Sequence, residues 1–233
     1  MKTLEIGLHG FLGDPQDLQL IRPDLKCWDY LTMTDLGPAT SLEDWGRAFW
    51  NQQTFSAVQN PIHLVGYSLG GRLALSAFHH SPQRVKKLVL LAAQFYFPEE
   101  ERAARKIWDS QWAARFRNEE WEKVVSAWNS LPIFEGSQAE PERREADFDR
   151  EVLALILEKW SPASQQDYTA ILNNSSVPVL FVVGEYDRRY MKLKDRLTGS
   201  NIQISVVPKA GHRVWYDQPG VVRDLVGRFL DSN

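Results

Sequence analysis

Residues 62–70 read Ile-His-Leu-Val-Gly-Tyr-Ser-Leu-Gly, a short apolar run followed by a serine between two glycines. The run is typical of a buried parallel strand, and a helical pattern of apolar residues follows it through 73–77. G-x-S-x-G between a strand and a helix indicates a nucleophile elbow, a sharp turn that strains the backbone of the serine. Small residues are needed at Gly66 and Gly70, because side chains there would collide with the adjoining strand and helix. The pattern predicts a reactive Ser68.

Similar apolar runs alternate with helical patterns along the chain. They span residues 4–8, 62–65, 85–91, 179–183 and 202–207. This alternation predicts an α/β fold with a mostly parallel, doubly wound sheet. Between Gln94 and Ser176 the strand pattern stops and helical patterns rich in Trp, Arg and Glu replace it. We therefore expect one domain, residues 1–233, with a helical cap inserted at about 94–176.

Composition and charge exclude several classes of protein. Hydrophobic residues make up 43% of the 233 residues and charged residues 24%, as in ordinary globular domains, and no apolar run approaches the roughly 20 residues that span a bilayer. The net charge of -3 and the lack of a Lys/Arg stripe exclude a nucleic-acid partner. Glu5 interrupts the N-terminal apolar stretch, which argues against a signal peptide. With a single cysteine, Cys27, interpreted as a strand residue, we expect a cytoplasmic protein.

A nucleophilic serine needs a base to take its proton and an acid to orient that base. Asp187 follows the fourth apolar run in Gly-Glu-Tyr-Asp, and His212 follows the fifth in Ala-Gly-His, so both stand just past strand ends. The order Ser, Asp, His is that of α/β-hydrolases. We predict a triad of Ser68, Asp187 and His212, with Glu185 as an alternative acid.

Residues 8–13, Leu-His-Gly-Phe-Leu-Gly, follow the first apolar run. From this position α/β-hydrolases donate one oxyanion-hole amide, and the residue after the nucleophile donates the other. We expect the amides of Phe11 and Leu69 to stabilise negative charge on a substrate oxygen, an effect of about 3 to 4 kcal/mol per donor. The remaining histidines, His9, His63, His79 and His80, are interpreted as structural.

Five segments together carry a family resemblance. They are residues 8–14 (Leu-His-Gly-Phe-Leu-Gly-Asp), 66–72 (Gly-Tyr-Ser-Leu-Gly-Gly-Arg), 111–117 (Gln-Trp-Ala-Ala-Arg-Phe-Arg), 184–187 (Gly-Glu-Tyr-Asp) and 210–212 (Ala-Gly-His). In order and spacing they resemble the 2-succinyl-6-hydroxy-2,4-cyclohexadiene-1-carboxylate synthases of menaquinone biosynthesis, over nearly the whole chain. Arg72 after the double glycine and the Gln-Trp-Ala segment are the selective features.

The resemblance implies an α/β-hydrolase fold and an elimination of pyruvate that uses no cofactor and no metal. In that reaction the triad serine removes a proton from the succinyl arm of a substrate with several carboxylates. The residues that match the family's substrate-binding positions are Tyr67, Arg72, Arg105, Trp128, Phe134 and Arg189. Arg72 also lies one helical turn after Ser68, where a buried guanidinium would be costly without an anionic partner.

The sequence departs from this family in three places. The chain begins almost directly at the third strand of the full fold, so we expect the N-terminal hairpin to be shortened or absent. Residues 34–41, Thr-Asp-Leu-Gly-Pro-Ala-Thr-Ser, replace the usual Pro-Gly-His-Gly-x-Ser loop, and Trp215 stands where a second histidine is common. All three changes concern the pocket rim rather than the triad.

Two other functions are compatible with the same fold. The triad and oxyanion hole would serve a carboxylic-ester hydrolase acting on a small acidic ester, and the fold alone would serve a non-catalytic small-molecule receptor. In each case the partner is a small molecule, anionic for the two enzymes. A panel of pyruvate release, ester cleavage and binding without turnover separates the three.

Overall fold

Six parallel strands form the sheet that carries the site. The computed structural model describes residues 3–28, 41–52, 60–137 and 141–232. The strands are β1 (Glu5–Leu8), β2 (Lys26–Trp28), β3 (Ile62–Tyr67), β4 (Val85–Leu91), β5 (Val179–Gly184) and β6 (Ile202–Val207). They lie in the order β2-β1-β3-β4-β5-β6, and every neighbouring pair is parallel. The predicted α/β class and parallel sheet are confirmed.

The two edge strands of the sheet differ from what the sequence pattern predicts. The run at 202–207 is typical of a buried strand, but β6 is the edge strand, and Ile204 and Val206 remain 38% and 40% exposed. At the other edge, β2 has only three residues, too few for a periodic signal, and it contains Cys27 as expected. Among the described residues no strand precedes β1. Residues 34–40 of the altered rim loop lie outside the described residues.

Helices cover both faces of the sheet. They are α1 (Leu42–Phe49), α2 (Leu69–His80), α3 (Arg102–Asn118), α4 (Trp121–Asn129), α5 (Arg150–Lys159), α6 (Thr169–Asn174), α7 (Arg188–Leu193), α8 (Val214–Asp217) and α9 (Pro219–Asp231). Successive residues of β3 alternate between the faces. Leu64 packs in a cluster with α1 and α2, and Val65 packs in a second cluster with α8 and α9. This arrangement is doubly wound.

Helices α3 to α6 lie between β4 and β5, in the segment where the sequence predicts a cap. Trp112, Phe116 and Trp128 of α3 and α4 form an apolar cluster that also includes Leu12 of the loop after β1. On the outer surface, ion pairs join α3 to α5, because Arg117 of α3 donates hydrogen bonds to Glu151 and Glu158 of α5. The cap helices therefore pack directly over the loop that is expected to supply an oxyanion-hole amide.

His63 of β3 is a buried histidine remote from the elbow in the same strand. Its ring is 4% exposed, and its Nδ1 lies 4.0 Å from a Glu5 carboxylate oxygen that Arg22 already binds at 2.7 Å. Burial, opposed in part by the Glu5 charge, lowers the pKa of His63 to about 4. The imidazole is therefore neutral in the folded protein at neutral pH.

This burial predicts acid sensitivity. Because the folded pKa lies below the unfolded value of about 6.5, the unfolded state takes up the proton first, and stability falls from about pH 6.5 down to pH 4. At about 1.4 kcal/mol per pKa unit, His63 should contribute a loss of up to about 3 kcal/mol. Denaturant unfolding of the wild type and of His63→Leu at pH 7 and pH 4 measures this contribution. Equal losses in both proteins would contradict it.

Candidate active site

Ser68 occupies the turn between β3 and α2, as the elbow pattern predicts. Its backbone has φ +49° and ψ -111°, a conformation that side chains rarely adopt, and its amide donates to Leu91 O at 2.9 Å. The flanking glycines are sterically required. A Cβ at Gly70 would lie 2.0 Å from Leu8 O, and one at Gly66 would lie 2.5 Å from Gly70 O. The turn leaves the Ser68 side chain partly exposed in a cavity.

A hydrogen-bonded chain joins the serine to an imidazole and a carboxylate. Ser68 Oγ lies 3.0 Å from His212 Nε2, and His212 Nδ1 lies 2.7 Å from Asp187 Oδ2. Asp187 and His212 are 3% and 1% exposed, so water is largely excluded from their contact. The rings of Tyr67 and Tyr190 pack around the imidazole at 5.5 and 4.8 Å. This geometry is that of a serine with its base and orienting acid.

The turn after β5 decides between the two possible acids. Asp187 is the N-cap of α7, where one of its oxygens accepts the Tyr190 amide at 3.3 Å and the other faces His212. Glu185 points to the surface and accepts the Lys209 amide at 2.9 Å. The alternative acid therefore does not contact the imidazole.

The loop after β1 lies beside the serine. A turn closes it, with the Gly13 amide donating to Gly10 O at 3.0 Å and Leu12 at φ +52°. Phe11 and Leu69 both line the cavity, and among the described residues neither amide donates a backbone hydrogen bond. Both amides are thus available to a substrate oxygen.

The cavity measures about 850 Å³, and all eleven residues singled out from the sequence line it. Tyr67, Trp128 and Phe134 form part of an aromatic wall that Trp108, Tyr190 and Trp215 extend. Trp215 packs edge-on against Tyr67, at a ring separation of 5.6 Å. Aromatic walls with a few polar groups are typical of small-molecule sites.

Arg72 is a buried cation with neutral partners. It is 6% exposed, its Nε donates to Gln165 Oε1 at 2.6 Å, and its Nη2 donates to Trp160 O. Burial lowers the pKa of Arg72, and the nearby charge of Arg105 acts in the same direction. A guanidinium remains charged at neutral pH, so this wall of the cavity carries a buried positive charge.

The other two predicted arginines are partly neutralised. Arg105 Nε lies 2.9 Å from both Asp109 oxygens, and its guanidinium stacks on Trp108 at 4.7 Å. Arg189 is exposed and contacts Glu101 at 3.3 Å. All three arginines line one cavity, but Arg72 is the most deeply buried of them.

Sequence reasoning missed several polar residues of the cavity. Asp109 is 1% exposed, and its only sequence signal is the i,i+4 spacing from Arg105. Asp17 accepts a hydrogen bond from Arg143 at 2.7 Å, which ties the cap segment to the loop after β1. Asp17 and Arg143 are 126 residues apart in sequence, so no local pattern indicated their contact.

The described part of the chain lacks two kinds of feature. None of its helices combines the length and apolar character needed to cross a membrane. Nor do these residues contain three or more His, Cys, Asp or Glu side chains grouped as metal ligands.

The chain is similar to known proteins over nearly its whole length. The model of the alpha/beta hydrolase family matches residues 7–225. The chain is 31% identical to the 2-succinyl-6-hydroxy-2,4-cyclohexadiene-1-carboxylate synthase of Enterobacter sp. (strain 638), with 96% of this chain and 90% of that protein covered. It is also 31% identical to the synthase of that name from Citrobacter koseri, at 96% and 92% coverage.

Solved structures show the same fold. MenH from S. aureus aligns with a TM-score of 0.82 at 18% identity, covering 99% of this chain and 94% of that chain. A thermophilic esterase from Thermogutta terrifontis aligns with a TM-score of 0.74 at 20% identity, with 97% and 88% covered.

Proposed function

Because this chain belongs to the alpha/beta hydrolase family, and within it to the 2-succinyl-6-hydroxy-2,4-cyclohexadiene-1-carboxylate synthases, we propose that it is a pyruvate-eliminating enzyme with a catalytic triad of Ser68, His212 and Asp187. The substrate would be 2-succinyl-5-enolpyruvyl-6-hydroxy-3-cyclohexene-1-carboxylate. The observation that carries the proposal is one cavity holding both the Ser68–His212–Asp187 relay and a buried, neutrally partnered Arg72.

The relay would generate the base for the reaction. His212 Nε2, 3.0 Å from Ser68 Oγ, takes the serine proton, and Asp187 stabilises the imidazolium that forms. The serine oxygen then removes the proton of the ring carbon that bears the succinyl arm, rather than a proton of the arm itself, because the ring diene of the product requires the loss of that hydrogen. The electrons of that C–H bond form a new ring double bond, the existing one shifts, and the C–O bond to enolpyruvate breaks. The leaving enolpyruvate takes up a proton at its methylene carbon to become pyruvate, and His212 releases the proton it took from Ser68, so that the number of protons balances.

The amides of Phe11 and Leu69 would stabilise the charge that develops on the succinyl carbonyl oxygen. Proton removal next to a carbonyl moves negative charge onto that oxygen, and preorganised amides in a cavity with little water stabilise it at no reorganisation cost. The helix dipole of α2, which begins at Leu69, acts in the same direction.

The arginines would hold the carboxylates. Arg72 has the strongest requirement for an anion, since its hydrogen-bond partners are the neutral Gln165 side chain and the Trp160 carbonyl. The nearby Asp109 carboxylate, whose charge also acts on Arg72, is hydrogen-bonded to Arg105. Charge-assisted hydrogen bonds from a guanidinium fix both the position and the orientation of a carboxylate. Arg105, positioned by Asp109, would bind a second carboxylate.

Purified protein incubated with the enolpyruvyl cyclohexene substrate should release pyruvate, which lactate dehydrogenase detects through NADH oxidation. The matched control is Ser68→Ala under the same conditions, which separates enzymatic from spontaneous elimination. Cleavage of a small acidic ester without pyruvate release would instead favour the esterase. Saturable binding without any turnover would favour a receptor.

A further inference from the structure

A second groove, of about 550 Å³, adjoins the active-site cavity on the side of α7. The two share four residues, Gln94, Glu101, Arg188 and Arg189. The rest of its wall consists of Tyr96, Pro98, Lys192, Leu193 and Arg196. We call this feature the outer basic groove. Its shared wall makes it continuous with the region where Arg189 borders the active-site cavity.

The outer basic groove is strongly cationic. Arg188, Arg189, Lys192 and Arg196 are all exposed in it, against one carboxylate, Glu101, which Arg189 contacts at 3.3 Å. This positive excess belongs to a protein whose net charge is -3. A small anion would therefore meet a local field opposite in sign to that of the whole molecule.

The spacing of the cations concentrates their charge. Arg188, Lys192 and Arg196 follow one another at four-residue intervals through α7 and the 3-10 turn Lys194–Arg196. Like charges at this spacing repel, and the acid of the turn, Asp195, is paired with Lys194 at 2.7 Å. The Arg196 guanidinium is held over the Tyr96 ring at 3.6 Å. No neighbouring acid in the described part of the chain therefore offsets the repulsion among Arg188, Lys192 and Arg196. Such uncompensated positive charge is expected where an anion binds transiently.

The exposure of the arginines falls from the outer basic groove to the serine. The Arg189 side chain is 43% exposed, that of Arg105 is 24% exposed, and Arg72 is 6% exposed. Exposed cations attract anions over roughly 10 Å but bind them weakly, whereas buried cations bind strongly at short range. The series is suited to capture an anion outside and transfer it inward.

We propose that the outer basic groove is an entry site for the carboxylate-bearing substrate, where Lys192 and Arg196 attract the anion before Arg189 passes it to Arg105 and Arg72. The inference rests on the proposed function for the identity of the substrate. If the proposal is correct, the rate constant for association of the substrate depends on these two exposed cations. Neither Lys192 nor Arg196 lines the active-site cavity, so the chemical step does not depend on them.

The test measures association without turnover. In a Ser68→Ala background, stopped-flow quenching of the cavity tryptophans, such as Trp108 and Trp128, follows binding of 2-succinylbenzoate, an aromatic dicarboxylate of similar shape. Adding Lys192→Glu and Arg196→Glu should lower the association rate constant about 10-fold at low salt, and the difference should disappear near 0.5 M salt. The matched control is Lys26→Glu with Lys86→Glu, the same charge change at exposed positions near the amino ends of β2 and β4.

The dimethyl ester of the probe should bind all three proteins at the same rate. Equal association of the dicarboxylate with the groove variant and with the control would overturn the entry site, as would its failure to bind the Ser68→Ala protein at all. Pyruvate release by the wild type with no change in association overturns the entry site alone. Slower association of the groove variant, when the wild type releases no pyruvate, would support the entry site and contradict the proposed pyruvate elimination.

Discussion

Replacing Ser68 by Ala should lower kcat for pyruvate release about 10⁴-fold, because the group that takes the substrate proton is lost while the cavity remains. Folding should be unaffected, since the Ser68 hydroxyl contacts His212 and the strained turn is fixed by its glycines. Steady-state kinetics with the pyruvate assay measures the loss, and thermal unfolding checks the fold. Ser110→Ala, at an exposed serine of α3, is the matched control.

The same experiment tests whether serine and imidazole act together. His212→Ala should lose about as much activity as Ser68→Ala, and the double variant should lose little more, because residues that form one relay are not additive. Additive losses would show that the two groups act separately. Near wild-type activity of Ser68→Ala would remove the serine from the mechanism altogether.

Arg72→Ala should lower kcat/KM for pyruvate release roughly 10- to 150-fold. This corresponds to about 1.5 to 3 kcal/mol of lost transition-state stabilisation, the scale of a hydrogen bond to a charged group. Hydrolysis of a small neutral ester, if the protein supports it, should change far less. Arg105→Ala and Arg189→Ala should have smaller effects. Asp109 already neutralises much of the Arg105 charge, and solvent screens the exposed charge of Arg189.

Gln165→Leu is the control for packing in this experiment. It removes the 2.6 Å hydrogen bond to Arg72 but leaves the guanidinium in the cavity, so most of the preference for an anionic substrate should survive. Unfolding midpoints of both variants report any loss of stability from the unpaired buried groups. Equal losses of Arg72→Ala on anionic and neutral substrates would show that Arg72 does not select for carboxylates.

Local sequence determined the elbow and most of the sheet. The glycines at 66 and 70 are required by contacts within the same strand, turn and helix and by the neighbouring β1, so the motif carries its own steric reason. The longer apolar runs became strands because their length and composition suit a buried parallel sheet. The order of serine, acid and histidine along these strands was enough to select Ser68 and His212, which the structure joins by a hydrogen bond, and to limit the acid to Glu185 or Asp187.

Tertiary structure decided which charges are exposed and which are paired. Gln165 and Trp160 reach Arg72 from 93 and 88 residues away, and Arg143 reaches Asp17 across 126 residues. The choice of Asp187 over Glu185 depended on how one turn directs two carboxylates that are two residues apart. The outer basic groove likewise combines the segment after β4 with α7. Such contacts depend on how the cap packs against the carboxyl ends of the strands, and burial of that kind leaves no periodic signal in sequence.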